Sequence, residues 1–295
     1  MRFQPLRKKP DAFDFEATRI CTVCNNTFHG RYCNLCGEKV MEPHERSFLN
    51  FLDSLLNAFT FLDGKFIKSL KLLITRPGQL SRNIADGKRV PYMKMVSLFF
   101  VANFFYFLFP VFDSYNSTLY TQMNSLGQHS VRATERINVY LDEQDISMEE
   151  FQRNYQEKST NLSKILIIVL VLAMTLFLVV VNFSRQAYFF DHLLYALEYY
   201  SFSLLINAVL LANLFKLLID WVAPLGWDWE ILLSDLYFTI VMLITTLYWL
   251  TRSQRIFYHQ EWYWAAIKTV VIIVLVQVSV EYYRKALFYI TMWFL

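Results

Sequence analysis

The sequence is poor in the residues that break or bend a chain, and poor in cysteine. Its 295 residues include only 7 Gly, 7 Pro and 4 Cys, and every cysteine lies between residues 21 and 36. The disulfide framework of a secreted protein would spread its cysteines along the chain, and a cytoplasm would keep them reduced. Charged residues make up 18% and the net charge is +3, so total charge gives no argument for nucleic-acid binding.

Common catalytic and targeting motifs are also lacking. The sequence has no Gly-rich phosphate loop, no H-E-x-x-H and no G-x-S-x-G. We therefore predict that the protein is not an enzyme. Residues 1–20 are basic and then mixed in charge, without the apolar core of a secretory signal. We expect them to form a poorly ordered arm that stays in the cytoplasm.

Apolar residues are abundant and concentrated in runs. They make up 55% of the chain, whereas a soluble domain averages about 45–50%. Several runs approach the ~20 residues that a helix needs to cross the hydrocarbon core. The sequence predicts a mainly α, polytopic transmembrane bundle over residues 95–295 with about five spans. The predicted spans are residues 95–112, 165–183, 199–219, 231–250 and 264–283.

The distribution of charge predicts the orientation of these spans. Residues 65–94 carry eight Lys or Arg and a single acid, Asp86, whereas the long loop 113–161 carries eight acids and four bases. Short loops rich in Lys and Arg remain cytoplasmic. The shorter turns continue the alternation, with Arg252 and Arg255 in the last one. We predict a cytoplasmic N-terminus and a periplasmic C-terminus.

Residues 47–94 form an amphipathic, basic segment before the first span. Apolar positions recur at helical spacing through 48–59, and a second helix is predicted to end at Thr75, because Arg76-Pro77-Gly78 disfavours its continuation. A short helix follows at 79–86. Basic side chains opposite apolar ones favour binding to the anionic leaflet of a bilayer over binding to nucleic acid. We expect the bilayer as a partner and no nucleic acid.

The predicted outer loop and the C-terminal tail also contain helical signals. Ser147-Met-Glu-Glu150 matches a capping box, which predicts a helix running into the second span. A partner helix near 131–143 would complete a small cap within loop 113–161. Residues 286–295 are too short for a sixth span, so we expect a helical extension or an interfacial segment.

The cysteines form two C-x-x-C pairs, which predict a small zinc ribbon over residues 21–40. Each pair forms a tight turn that brings two thiolates together, and two turns supply a tetrahedral site for structural Zn²⁺. So short a segment cannot bury a core, so the metal must stabilise it. The predicted ligands are Cys21, Cys24, Cys33 and Cys36.

Other interpretations of the cysteines remain open at this stage. They are an iron site, a redox dithiol and coincidence, although redox chemistry needs no second pair. His29 lies between the pairs as a substitute ligand or as a surface residue. Gly37 and Asn25 suit the positive φ expected after each pair. Phe28 and Tyr32 are expected to supply the apolar contacts of the ribbon.

A second polar cluster opens the third span. Asp191, Tyr195 and Glu198 share one helix face, with His192 beside them. Ionisable residues at membrane depth usually face a bundle interior or cavity, which indicates a proton or cation site at Asp191, His192 and Glu198. The alternative is structural: Asp191 and His192 lie at the interface, and Glu198 pairs with a neighbouring Arg or Lys.

The order of these motifs resembles a bacterial membrane family of unknown function. The resemblance rests on "YCNLCG" at 32–37, "LDGKFIKSLKLLITRPGQ" at 62–79, "GKRVPY" at 87–92 and "DHLLYALEYYSF" at 191–202. It implies a multi-pass protein of the bacterial inner membrane that opens with a four-cysteine zinc ribbon. It implies no activity.

Two functions are consistent with these features. The first is a non-enzymatic scaffold or accessory subunit of an inner-membrane complex, which docks a membrane or cytoplasmic protein through its zinc ribbon and helical bundle. The alternative is a transporter of a small solute, ion or lipid that uses the polar residues of the third span. The absence of a detectable internal repeat weighs against the transporter.

Overall fold

The structure, a computed structural model, is mainly helical and divides into two compact units, residues 1–63 and 64–295. It describes residues 14–21, 23–37, 40, 64–111, 115–183, 188–222 and 235–295. The predicted arm 1–20 falls largely outside these residues, and the predicted helix at 47–60 falls entirely outside them.

The first unit contains a small antiparallel hairpin. Strand β1 (Arg19–Ile20) pairs with β2 (Thr27–Phe28), and Arg19 lies opposite Phe28. The first cysteine pair lies in the connection between the strands. Phe28 is buried together with Cys21 and Cys33, so the apolar centre of this unit forms around the sulfur atoms.

The second unit begins with three short helices, of which the first two lie within the basic segment. They are α1 (Gly64–Thr75), α2 (Gln79–Ala85) and α3 (Met95–Leu108). The predicted stop after Thr75 is confirmed, because Pro77 and Gly78 separate α1 from α2. Both α1 and α2 belong to the same compact unit as the apolar helices. Leu73, Leu80 and Ile84 are buried in its core.

The helical cap predicted within loop 113–161 is confirmed in outline. It consists of α4 (Leu119–Asn124), α5 (Gln128–Gln144) and the first half of α6 (Met148–Leu166). Ser147 caps α6 by accepting the Glu150 N–H through its side chain. The cap has its own apolar core, in which Ile137 and Phe151 pack against Phe288 near the C-terminal end of the chain.

The remaining helices are largely apolar and vary in length. They are α7 (Ile168–Val181), α8 (Phe189–Phe202), α9 (Ala212–Val222), α10 (Asp235–Tyr258) and α11 (Trp262–Phe294). A π-helical segment, Ser203–Leu211, joins α8 to α9. Helix α11 runs to Phe294 without interruption, so the predicted tail at 286–295 is a helical extension.

Within the described residues, three helices are long and apolar enough to cross a membrane: Met148–Val181, Phe189–Leu218 and Trp262–Phe294. They contain most of the second and third predicted spans and all of the fifth. The first predicted span, as Met95–Leu108, is apolar but shorter. The fourth begins among residues that the structure does not describe. A count of five therefore stays a prediction, as does the orientation.

The distribution of polarity in the long helices is that of a membrane protein. Apolar side chains point outward along α7 and α11, while polar ones are buried between helices. Exposed apolar rows of this size are unfavourable in water but match lipid. The outward rows include Val169, Leu172, Leu176, Val180, Ile267, Val270, Val274 and Val278, and the buried polar residues include Thr175, Ser201, Asn207 and Thr269.

Candidate metal centre and buried polar cluster

The two cysteine pairs adopt the same local geometry. After the first pair the Asn25 N–H donates to the Cys21 carbonyl, and after the second the Gly37 N–H donates to the Cys33 carbonyl. Asn25 and Gly37 both have positive φ, at 57° and 79°. This confirms the expectation that these two positions require a left-handed conformation. Each turn therefore holds its two sulfur atoms on one side.

The four sulfur atoms converge on one point. All lie within 4.8 Å of one another. The Sγ atoms of Cys21 and Cys36 are 3.5 Å apart, and those of Cys24 and Cys33 are 3.6 Å apart. A tetrahedron with Zn–S bonds of about 2.3 Å places its sulfur atoms about 3.8 Å apart. The cluster therefore has the donor set and nearly the dimensions of a four-thiolate metal site.

Backbone N–H groups favour the thiolate form that metals require. The pKa of the Cys21 thiol is lowered, chiefly by the N–H of Cys24 and then by that of Val23. The N–H of Cys36 is the main cause that lowers the pKa of Cys33 to about 6. Since the thiolate is the metal ligand, these N–H groups favour cation binding at Cys21 and Cys33, whereas the pKa of the Cys24 thiol is raised.

Three side chains near the cysteines test the roles that were expected of them. His29 Nδ1 lies 3.0 Å from the Glu16 carbonyl oxygen, and the metal-ligating cluster consists of the four cysteines. This position favours the surface interpretation of His29. Phe28 is buried as expected, whereas the expectation for Tyr32 is wrong, because 60% of that residue is exposed.

Glu198, in the second unit, is completely buried and binds backbone N–H groups. Its Oε1 accepts the Gly78 N–H at 3.0 Å, and its Oε2 accepts the Ser81 N–H at 2.8 Å. Gly78 is the N-cap of α2 and has no side chain to perform that role. The Glu198 carboxylate supplies the cap from another helix, and its charge lies at the positive end of α2.

This arrangement differs from the predicted partner of Glu198. The structural alternative placed an Arg or Lys beside it, but its hydrogen bonds come from backbone N–H groups at the N-cap and in the first turn of α2. N-terminal N–H groups of a helix lack partners within the helix, which explains why a carboxylate satisfies them. Both carboxylate oxygens are therefore already engaged within the protein.

The other two residues of the predicted polar site have separate contacts. Asp191 Oδ2 accepts the Tyr188 N–H at 3.0 Å, so Asp191 caps the start of its own helix. His192 Nδ1 lies 2.7 Å from the Tyr258 hydroxyl on α10. The structure thus places Asp191, His192 and Glu198 on one helix, but each binds a different partner.

Helix α10 contacts both α1 and α2, the two helices that flank this loop. The Trp249 indole N–H donates to the Leu73 carbonyl at 2.9 Å, and the Arg82 guanidinium donates to the Phe257 carbonyl at 3.3 Å. Residues 251–263 were predicted to form a turn, but α10 continues to Tyr258. That helical continuation is what brings Ser253 against Gly78.

Gly78 is a position where the backbone and the packing both require glycine. Its φ is +79°, and an added Cβ would lie 2.7 Å from the Ser253 carbonyl oxygen. We expect Gly78→Ala to destabilise the second unit by roughly 3 kcal/mol. This cost has two parts, the strain of an alanine in the left-handed conformation and the displacement of α10 by its Cβ. Gly87 also has positive φ, at +90°, but open space around it. Gly87→Ala is the matched control, expected to cost about 1–2 kcal/mol.

Detergent-solubilised variants unfolded by heat provide the measurement. Because a Cβ at Gly78 would collide with Ser253, we expect Gly78→Ala to lower the unfolding midpoint clearly more than Gly87→Ala does. Equal midpoints for the two variants would contradict a close approach between the α1–α2 loop and α10.

A polar pair on α10 was missed by sequence analysis. Ser253 is fully buried and its hydroxyl contacts the Tyr195 hydroxyl on α8. Gln254 is equally buried, and neither polar atom of its side chain has a hydrogen-bond partner among the described residues. The neighbouring Arg252 and Arg255 are typical of a solvent-facing turn. The burial of Ser253 and Gln254 was therefore not predicted.

The comparisons with known proteins give limited information. A family model described as a protein of unknown function, DUF3667, matches residues 63–107. That segment contains α1, α2, nearly all of α3 and the two N–H groups that Glu198 binds. No curated protein and no solved structure matches the chain.

Proposed function

We propose that the protein is a non-enzymatic scaffold or accessory subunit of a complex in the bacterial inner membrane. The cysteine module (residues 14–40) holds a structural zinc ion through Cys21, Cys24, Cys33 and Cys36. It contacts a membrane or cytoplasmic protein, and the helical bundle anchors it in the bilayer. The N-terminus is cytoplasmic and the C-terminus periplasmic.

The observation that carries this proposal is the surface of the cysteine module. Val23 lies in the first C-x-x-C turn and Leu35 in the second, and these side chains are 66% and 72% exposed. Ile20 and Tyr32 are exposed as well. A unit of this size that presents four large apolar side chains beside a closed metal site is suited to binding another protein.

The contacts of the third predicted span favour a scaffold over a transporter. A transport site needs polar groups that are available to the solute, as at the unwound helices of known transporter folds. Here the Glu198 carboxylate caps α2, Asp191 caps α8, and His192 contacts Tyr258. These contacts support a structural role for all three residues.

The test is co-purification of partners with the tagged full chain after gentle detergent extraction, followed by quantitative mass spectrometry. We expect the double change Val23→Ser and Leu35→Ser to reduce the bound partner at least tenfold, because two apolar anchors are lost. Val131→Ser is the matched control, since Val131 is 71% exposed on α5 and far from the cysteines in sequence.

The interpretation depends on the metal content of the variants. Both variants should retain zinc, so a loss of partner would be assigned to the surface and not to unfolding of the module. Retention of every partner by the double variant, with zinc intact, would contradict docking through the cysteine module.

A further inference from the structure

A polar cleft of about 460 Å³ opens at one end of the bundle. It lies where α7 ends, α8 begins, α10 ends and α11 begins, and α2 forms a further wall. It is separate from the carboxylate cap at Glu198. Its charged and amide side chains are Arg82, Asp86, Asn182, Asp191, Gln260 and Lys268.

Among the described residues, the hydrogen bonds inside the cleft leave one amide donor and one amide acceptor without partners. The Lys268 ammonium donates to Asn182 Oδ1 at 3.0 Å, and Gln260 Nε2 donates to the same oxygen at 2.8 Å. Because an ammonium can only donate, this contact fixes which end of the Asn182 amide is oxygen.

The remaining atoms of the two amides are therefore identified. Asn182 is only 4% exposed, and its Nδ2 has no hydrogen-bond partner in the described part of the chain. Gln260 Oε1 is likewise buried there without a partner. A buried amide N–H left unsatisfied is unfavourable, and a ligand acceptor at this position would satisfy it.

The charges of the cleft include one cation and one anion that do not form an ion pair in the described residues. Arg82 and Asp86 pair with each other at 3.1 Å. Lys268 contacts the neutral Asn182, and Asp191 contacts the neutral Tyr188 N–H. A ligand that carries both signs of charge complements this pattern.

We propose that the cleft binds a phosphate group that also carries a primary amine, as in the headgroup of an aminophospholipid. Lys268 Nζ and Asn182 Nδ2 bind the phosphate oxygens, while Asp191 and Gln260 Oε1 bind the amine. Primary amines donate hydrogen bonds to both acceptors, whereas the quaternary amine of a choline headgroup cannot.

The position of the cleft indicates a lipid as the source of this chemistry. It lies at the ends of helices that are long and apolar enough to cross a membrane. Exposed aromatic residues surround the same ends, including Phe183, Tyr188 and Trp262. Such aromatic side chains concentrate at the depth of lipid headgroups. This binding site is independent of the scaffold function proposed above.

The first experiment measures lipid selectivity with the full wild-type chain. Delipidated protein in detergent is titrated with phosphatidylethanolamine, phosphatidylglycerol and phosphatidylcholine of identical acyl chains, and bound lipid is counted by native mass spectrometry. We expect about tenfold preference for phosphatidylethanolamine. Soluble O-phosphoethanolamine is the comparison that separates a lipid from a free phosphate compound, and we expect it to bind far more weakly because it has no acyl chains.

Two variants test the assigned contacts. Lys268→Met should lower the affinity for phosphatidylethanolamine about ten- to a hundredfold, as expected when a charge-assisted hydrogen bond is lost. Lys285→Met removes a lysine from the other end of α11 and should change nothing. Asp191→Asn keeps an oxygen for the Tyr188 N–H but loses the charge, so the preference over phosphatidylglycerol should fall to about one.

Several results would overturn the proposal. Equal binding of the three lipids by the wild-type chain would overturn the proposal. This test needs no variant, so it remains valid even if the Lys268→Met chain fails to fold. Unchanged lipid affinity in Lys268→Met would remove the phosphate contact. Binding of O-phosphoethanolamine as tight as that of the lipid would identify a soluble ligand instead.

Discussion

Replacement of Cys33 by Ser is expected to remove zinc from the protein and to unfold the cysteine module. Structural zinc contributes about 10–16 kcal/mol to the folding of such modules, and a serine hydroxyl is a poor substitute for a thiolate. Elemental analysis of the purified full chain should show about one zinc per wild-type molecule and almost none in the variant. Trypsin should then cleave faster after Arg19 and Arg31, which both lie within the module.

The matched control is His29→Ala. His29 lies between the cysteine pairs, and its ring contacts the Glu16 carbonyl. We expect this variant to keep its zinc and its resistance to trypsin. Zinc that persists in Cys33→Ser, or disappears in His29→Ala, would contradict a site made of four thiolates. Bound iron in the wild-type chain would contradict the choice of metal while leaving the ligands unchanged.

Local sequence signals predicted local structure well. Pro77 marked the end of α1, Ser147 marked the start of α6, and Asn25 and Gly37 marked the two positive-φ turns. Each of these signals acts through the residue itself or its immediate neighbours. The cysteine cluster belongs to the same class, because two C-x-x-C turns need few distant contacts to bring their sulfur atoms together.

Partners that are distant in sequence could not be predicted in the same way. Periodicity showed that Glu198 and Tyr195 share a helix face, but it gave no information about what lies opposite. The search for a partner of Glu198 considered charged side chains, while the actual partners are backbone N–H groups of Gly78 and Ser81, more than a hundred residues earlier. Backbone groups are present at every residue, so they leave no signal in the sequence.

The end of α10 illustrates a second limit. Arg252 and Arg255 suggested a loop outside the membrane, and the helix was predicted to end before them. Arg252 instead donates to the Tyr248 hydroxyl one turn earlier, while Ser253 and Gln254 on the other face are fully buried. A helix that leaves the apolar layer can remain helical when another element covers one of its faces, and here α2 does so. Amino-acid composition alone does not show that another helix packs against this face.

Replacement of Glu198 by Leu is expected to destabilise the helical unit strongly. Leucine removes both acceptors and leaves the N–H groups of Gly78 and Ser81 buried without partners, at a cost of about 1–3 kcal/mol for each group. We expect a total loss of about 2–6 kcal/mol. Unfolding of the full chain in a denaturing detergent, followed by tryptophan fluorescence, measures the change.

Glu198→Gln separates the role of the charge from that of the shape. Its side chain keeps one carbonyl oxygen but directs an NH₂ group at the second N–H, so the expected loss is intermediate, about 1–3 kcal/mol. Glu281→Gln is the matched control. Glu281 forms an exposed pair with Lys285 one turn along α11, and such pairs contribute about 0.3–0.5 kcal/mol.

These variants also distinguish the two functions considered for the protein. If the Glu198 carboxylate serves as the cap of α2, stability should decrease in the order wild type, Gln, Leu, and the partners of the scaffold should be lost in proportion to the unfolded fraction. If Glu198 were a transport residue, Glu198→Gln would keep wild-type stability and partners while the flux of a solute disappeared. The two hydrogen bonds from Gly78 and Ser81 favour the first result, because a carboxylate that holds α8 and α2 together cannot change its partners without releasing them.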